Sequence, residues 1–153
     1  TKAVPLQKAP EHEERSGTGR GGLLHLPHPP RTGERLLMKT AIIGSRGIRN
    51  LRLEQFLPED VSEIISGGAR GVDALAAEYA DIHEIPLKVF LPDYRRYGKK
   101  APLVRNRLIV DACDVLFAFW DGASTGTAYT LRYARERGKE IHLFRLKRAE
   151  PLF

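Results

Sequence analysis

Three short strand-like segments in this chain each end in a glycine-bearing loop, and each loop is followed by a segment able to form a helix. Thr40-Ala41-Ile42-Ile43 ends in Gly44-Ser45-Arg46-Gly47. Val61–Ile65 ends in Ser66-Gly67-Gly68-Ala69-Arg70-Gly71. Val115-Leu116-Phe117-Ala118-Phe119-Trp120 ends in Asp121-Gly122-Ala123-Ser124-Thr125-Gly126-Thr127. The first and third are apolar runs without polar alternation, which read as strands buried on both faces, and Val61–Ile65 reads as a further strand. Between them, Val72–Ala80 is rich in alanine and spaces its apolar residues helically. Ala101–Ala112 is a second helix, with Pro102 in its first turn, and Thr127–Arg137 a third, closed by Gly138. A short helix is expected around Leu51–Leu57, ahead of Pro58, and further strands at Leu87–Leu91 and Ile141–Phe144.

Strand and helix thus alternate with no hairpin signal. That pattern predicts an α/β fold, a single Rossmann-like domain with a parallel sheet of about five strands and helices on both faces. In a parallel sheet the strand ends point one way, so the three loops converge at one edge, where such folds bind ligands. Glycine lets the backbone approach a ligand closely, and the start of a helix presents unpaired N–H groups that suit phosphate. The candidate ligand residues are Gly44, Ser45 and Arg46; Ser66, Gly67, Gly68, Arg70, Gly71 and Asp73; and Asp121, Gly122, Ser124, Thr125, Gly126 and Thr127. Each has a structural alternative. Asp73 could stabilise the start of its helix, and Ser124 or Thr125 could be an N-cap. Trp120 could be core. Tyr94 and Tyr97 could be a solvated loop or could stack on a base, with Arg95, Arg96, Lys99 and Lys100 beside them. No loop matches G-x-G-x-x-G, and none has the lysine of a P-loop, which argues against standard dinucleotide binding and ATP hydrolysis.

The first 37 residues differ from the rest. They hold Pro5, Pro10, Pro27, Pro29 and Pro30 and the run Ser16-Gly17-Thr18-Gly19-Arg20-Gly21-Gly22, with no helical or strand period. Such a stretch buries too little apolar surface to offset its ordering entropy. The expected organisation is a disordered extension or tag over 1–37, a ligand-binding domain over 38–146 starting at the only methionine, Met38, and a tail over 147–153. The formal charge of +6 favours anionic partners without distinguishing among them, and two of those six charges come from residues 1–37. The lone Cys113 permits no intramolecular disulfide and reads as a small buried hydrophobe, and no apolar run approaches the ~20 residues of a membrane helix. A cytoplasmic location is the expectation.

The combination of motifs resembles the SLOG superfamily, which groups the DNA-processing protein DprA with the cytokinin-activating LOG phosphoribohydrolases. It is most similar to the YspA-related branch. The residues that carry the resemblance are Ser66–Asp73, Pro92-Asp93-Tyr94 with Tyr97-Gly98-Lys99, Arg105-Asn106, and Phe119-Trp120-Asp121-Gly122 with Ser124 and Gly126-Thr127. The resemblance implies a Rossmann-like fold and a nucleotide-derived ligand, and it adds Arg105 and Asn106 to the candidate site; a structural hydrogen-bond network beneath the sheet edge is their alternative role. LOG enzymes carry a glutamate shortly after the Gly-Thr pair. Here Gly126-Thr127 is followed by Ala128-Tyr129-Thr130, so the carboxylate that supports ribosyl-bond cleavage is missing from that place. The first expectation is therefore a nucleotide-binding sensor or carrier that needs no further cofactor and no metal. A phosphoribohydrolase-like enzyme and a DprA-like single-stranded nucleic-acid binder are the alternatives. The expected partner is a nucleotide or nucleotide derivative, with single-stranded nucleic acid or a second copy of the chain as further candidates, and no membrane.

Overall fold

The computed structural model describes residues 4–8 and 38–148. In chain order the elements are β1 (Val4–Lys8), β2 (Met38–Gly44), a 3₁₀ turn (Leu53–Gln55), β3 (Val61–Ser66), α1 (Val72–Ile82) and β4 (Leu87–Val89). There follow α2 (Tyr94–Tyr97), a second 3₁₀ turn (Gly98–Lys100), α3 (Ala101–Ala112), β5 (Val115–Trp120), α4 (Thr125–Glu136) and β6 (Glu140–Arg145). The strands form one sheet in the order β1-β6-β5-β2-β3-β4. Strands β2 to β6 are parallel throughout, as the sequence predicts. The sequence also gives the three long helices to within two residues at each end.

Alternation along the central strands divides the core in two. Ile42, Ile64, Val115, Phe117 and Phe119 face Val72, Ala76, Tyr79 and Ala80 of α1, with Leu53 and Leu57 of the β2–β3 connection. Ala41, Ile43, Ile65, Leu116, Ala118, Ile141 and Leu143 face the other way, onto Ile109, Val110 and Cys113 of the α3 end and Leu131 and Ala134 of α4. A fully buried strand needs apolar side chains on both faces, which is why β2 and β5 read as unbroken apolar runs. Cys113 is buried and its thiol lies 3.3 Å from the Val110 carbonyl, as expected of a packing residue.

Three expectations differ from the structure. The helix expected around Leu51–Leu57 is only the 3₁₀ turn at Leu53–Gln55; Leu53 and Leu57 are buried, so tertiary packing fixes the segment and no helical period is needed. The loop after β4 contains the one-turn helix α2, whose start is capped by Asp93, with the Arg96 amide donating to Asp93 Oδ1 at 3.1 Å. Within the segment expected to be unstructured, Val4–Lys8 pairs antiparallel with β6, in the register Val4 to Arg145 and Lys8 to His142. An edge strand is held by the backbone ladder of its neighbour, which no apolar periodicity announces. The rest of the expected extension, 9–37, lies outside the described residues. No helix among the described residues is long and apolar enough to cross a membrane.

Candidate functional site

After β2 the chain continues to β3 and β4 on one side, whereas β5 and β6 lie on the other. The order therefore reverses between β2 and β5, and a crevice opens outside the carboxyl ends of those two strands. A cleft of about 450 Å³ occupies that position. Its lining includes Gly44, Arg46, Asp73, Arg105, Asn106, Asp121, Ser124, Thr125, Gly126 and Thr127 of the candidate residues.

The loop after β2 is welded to the loop after β5. The Ser45 amide donates to the Phe119 carbonyl at 3.0 Å, and the Asp121 amide donates to the buried Ser45 hydroxyl at 3.0 Å. A methyl group on Gly44 would collide with the Phe119 carbonyl and with Val72, so only glycine lets these segments approach. The loop after β3 meets the same construction from the other side. Gly71, at φ 72°, is the N-cap of α1 and packs directly on the backbone of Arg46.

Asp73 and Arg105 hold the second loop in shape. Asp73 is buried and its Oδ2 accepts from the Ala69 amide at 3.0 Å. Burial raises its pKa above the ordinary 3.8, although the Ala69 amide and the nearby Arg105 charge work in the opposite direction. Arg105 donates to the Gly67 carbonyl, to the Phe90 carbonyl at 3.3 Å and to Asn106 Oδ1 at 2.8 Å. The network beneath the sheet edge is therefore present, and both residues also face the cleft.

The third loop is built as an Asx turn. Asp121 Oδ1 accepts from the amides of Ala123 at 2.8 Å and Ser124 at 2.9 Å. Burial pushes the Asp121 carboxyl up, but those two amides, the Ser45 hydroxyl and Arg148 more than offset it and hold the carboxyl below its usual 3.8. The Trp120 indole donates to the Ser124 carbonyl at 3.0 Å, which fixes the entry into α4. Ser124 is the N-cap residue of α4, yet its side chain caps no amide; its hydroxyl pairs with Thr127 Oγ1 at 3.3 Å. The first amides of α4, at Thr125, Gly126 and Thr127, have no intrahelical acceptor, so they and the positive end of the helix dipole are presented to the cleft.

Several candidates lie outside the lining. Ser45, Ser66, Gly67 and Gly71 are buried parts of the loop frame, and Gly68, Gly122 and the exposed Arg70 do not line the cleft. The structure also brings in residues the sequence reading left out: Gly47, Ala69, Pro102, Ala123, Thr130 and Arg148. Thr130 stands near the place of the missing glutamate, and its hydroxyl donates to the Gly126 carbonyl at 2.8 Å. Arg148 lies in the stretch that the sequence reads as a tail. Its Nε lies 3.6 Å from Asp121 Oδ2 and against Gly47. The available signal was its place three residues beyond a parallel strand, which must deliver the chain to the same edge as the loops.

Residues 41–97, from β2 to the end of α2, match the family model described as "YAcAr: YspA, cpYpsA-related SLOG family". No curated protein and no solved structure matches the chain. Residues 41–97, which hold the first two glycine loops and the Asp73 helix start, are thus similar to the YspA-related branch of the SLOG superfamily.

Proposed function

We propose that the cleft binds a nucleotide or a nucleotide derivative through its phosphate, and that the protein serves as a cytoplasmic sensor or carrier of that ligand. One arrangement supports this reading above the others. The uncapped start of α4 faces a cleft that also holds the exposed guanidinium groups of Arg46 and Arg148. Unpaired helix amides and two arginines make a site for a doubly charged anion, with the carboxylate side of the cleft left for hydroxyl groups. The similarity of residues 41–97 to the SLOG superfamily agrees with nucleotide-related binding at that coarse level.

The experiment is a thermal-shift screen of the full chain over nucleoside mono-, di- and triphosphates, followed by titration calorimetry. A ligand at 100 times its Kd should add about 2.7 kcal/mol of stability. Absence of any shift across the panel would reject the reading, as would binding unaffected by removing both Arg46 and Arg148.

A second reading, hydrolysis of the ribosyl bond of a nucleoside monophosphate, is favoured by one observation. Asp73 is a buried carboxyl on the cleft with a raised pKa, the condition of a general acid. Its contact with the Ala69 amide also serves the loop, and the binding reading is the better supported of the two.

A further inference from the structure

Seven lysines and arginines and a single carboxylate, Asp93, lie between Lys88 and Arg107, so this stretch carries +6, the whole net charge of the chain; the remaining residues cancel. The fold gathers its middle part, from β4 through α2 to the start of α3, at the surface. Arg95, Arg96, Lys99 and Lys100 are all exposed. Among the described residues no carboxylate forms an ion pair with any of the four. The Asp93 carboxylate is engaged in capping α2. Large apolar side chains stand among these cations without cover: Leu91 is 70% exposed, Tyr94 58% and Tyr97 40%. Tyr94 and Tyr97 are three residues apart on one helical turn, a spacing that makes side chains neighbours. The Arg96 guanidinium lies over the Tyr97 ring, 5.5 Å from its centre. Neither tyrosine lines the cleft.

We infer that this surface binds single-stranded nucleic acid, with Tyr94 and Tyr97 stacking on bases and Arg95, Arg96, Lys99 and Lys100 following the phosphates. Charge alone would fit an acidic peptide or an anionic membrane as well. The exposed rings decide between them, because a solvent-facing tyrosine amid cations gives a base a flat face to stack on, as single-strand-binding surfaces do. Phosphate and base faces are common to DNA and RNA, so the two bind alike. The inference does not depend on the nucleotide reading of the cleft.

The test is fluorescence anisotropy of the full chain with labelled dT12 and rU12. Unlabelled oligoglutamate of the same length and phosphatidylserine vesicles serve as competitors. Four contacted phosphates should give a slope of log affinity against log salt of about −3. The Tyr94→Ala/Tyr97→Ala pair should weaken binding about tenfold or more. Arg95→Glu/Arg96→Glu should abolish it, and Arg46→Ala in the cleft should leave it unchanged. Tyr94→Leu/Tyr97→Leu, which keeps apolar bulk without a ring, guards against a folding artefact, and melting curves accompany each variant. Binding insensitive to loss of the rings, preferential capture by oligoglutamate or vesicles, or no binding at low salt would each overturn the inference. Loss of oligonucleotide binding in Arg46→Ala, with the tyrosine pairs unaffected, would move the strand into the cleft and overturn this surface while leaving the nucleotide reading standing.

Discussion

Arg148 Nε lies 3.6 Å from Asp121 Oδ2, joining the residue that begins the β5 loop to one beyond the end of β6. The carboxylate is almost covered and the arginine is two-thirds exposed. A long ion pair whose cation is mostly solvated contributes little to stability, and the amides of Ala123 and Ser124 hold the carboxylate in place without it. The free donors of Arg148 therefore matter mainly to whatever enters the cleft.

Arg148→Ala should leave the melting temperature nearly unchanged and raise the Kd of a phosphate-bearing ligand about 10- to 100-fold, the effect of losing a charge-assisted hydrogen bond of about 1.5–3 kcal/mol. Arg46→Ala should act alike. Arg70→Ala, whose exposed side chain lies outside the cleft lining, should have a smaller effect. Calorimetric titration of the three variants with one ligand ranks them, and an equal loss in all three would contradict the placement of Arg70.

Gly71→Ala should destabilise the fold, because the residue sits at φ 72° and a methyl group there would meet the Arg46 carbonyl. A cost of about 2–3 kcal/mol is expected. By contrast, a methyl group on Gly126 meets nothing within 4 Å. Gly126→Ala should fold normally yet weaken ligand binding, since Gly126 lines the cleft at the start of α4. Thermal melts with and without ligand separate the two cases.

Nucleoside monophosphates should not be hydrolysed above background. Ribosyl-bond cleavage builds positive charge on the sugar and needs a carboxylate near it. Asp121 Oδ1 already holds two amides, and Asp73 Oδ2 holds the Ala69 amide. Free-base release from AMP, GMP, CMP and UMP is the assay. Release abolished by Asp73→Asn or Asp121→Asn would make that aspartate catalytic and replace the binding reading.

Cys113 should resist thiol reagents in the native protein. Burial pushes its pKa from 9.0 up to about 11. A thiol with a raised folded pKa binds its proton more tightly in the native state, so its contribution to stability is complete below pH 9.0 and is lost as pH rises toward about 11. The labelling rate at pH 8 should track global unfolding, and rapid labelling under native conditions would show that the β5 side of the core opens locally.

Much of this was legible in the chain itself. The apolar runs within β2 and β5 announce strands covered on both faces, because each is short, rich in β-branched or aromatic residues and bounded by a turn, as with Ile42-Ile43 and Phe117-Ala118-Phe119. Glycines directly after such runs mark the edge where a ligand can approach. Local chemistry of this kind depends on neighbours in sequence, so reading along the chain finds it. The motif combination also led to the family that residues 41–97 match.

Tertiary structure decided the rest. Only strand order shows that the loops after β2 and β5 flank the reversal point, and that most of the loop after β3 frames the cleft while Ala69 and Asp73 reach its lining. Arg70 and Arg148 illustrate the difference. In sequence, Arg70 sits inside a glycine loop and Arg148 in a tail, yet the fold turns the first to solvent and brings the second against Asp121. The pairing of Val4–Lys8 with β6 is equally invisible to periodicity, since backbone hydrogen bonds accept almost any residue. Composition and spacing specify elements because they act over a few residues. The site needed the sheet to be assembled, because its cations and amides come from segments as far apart as Arg46 and Arg148.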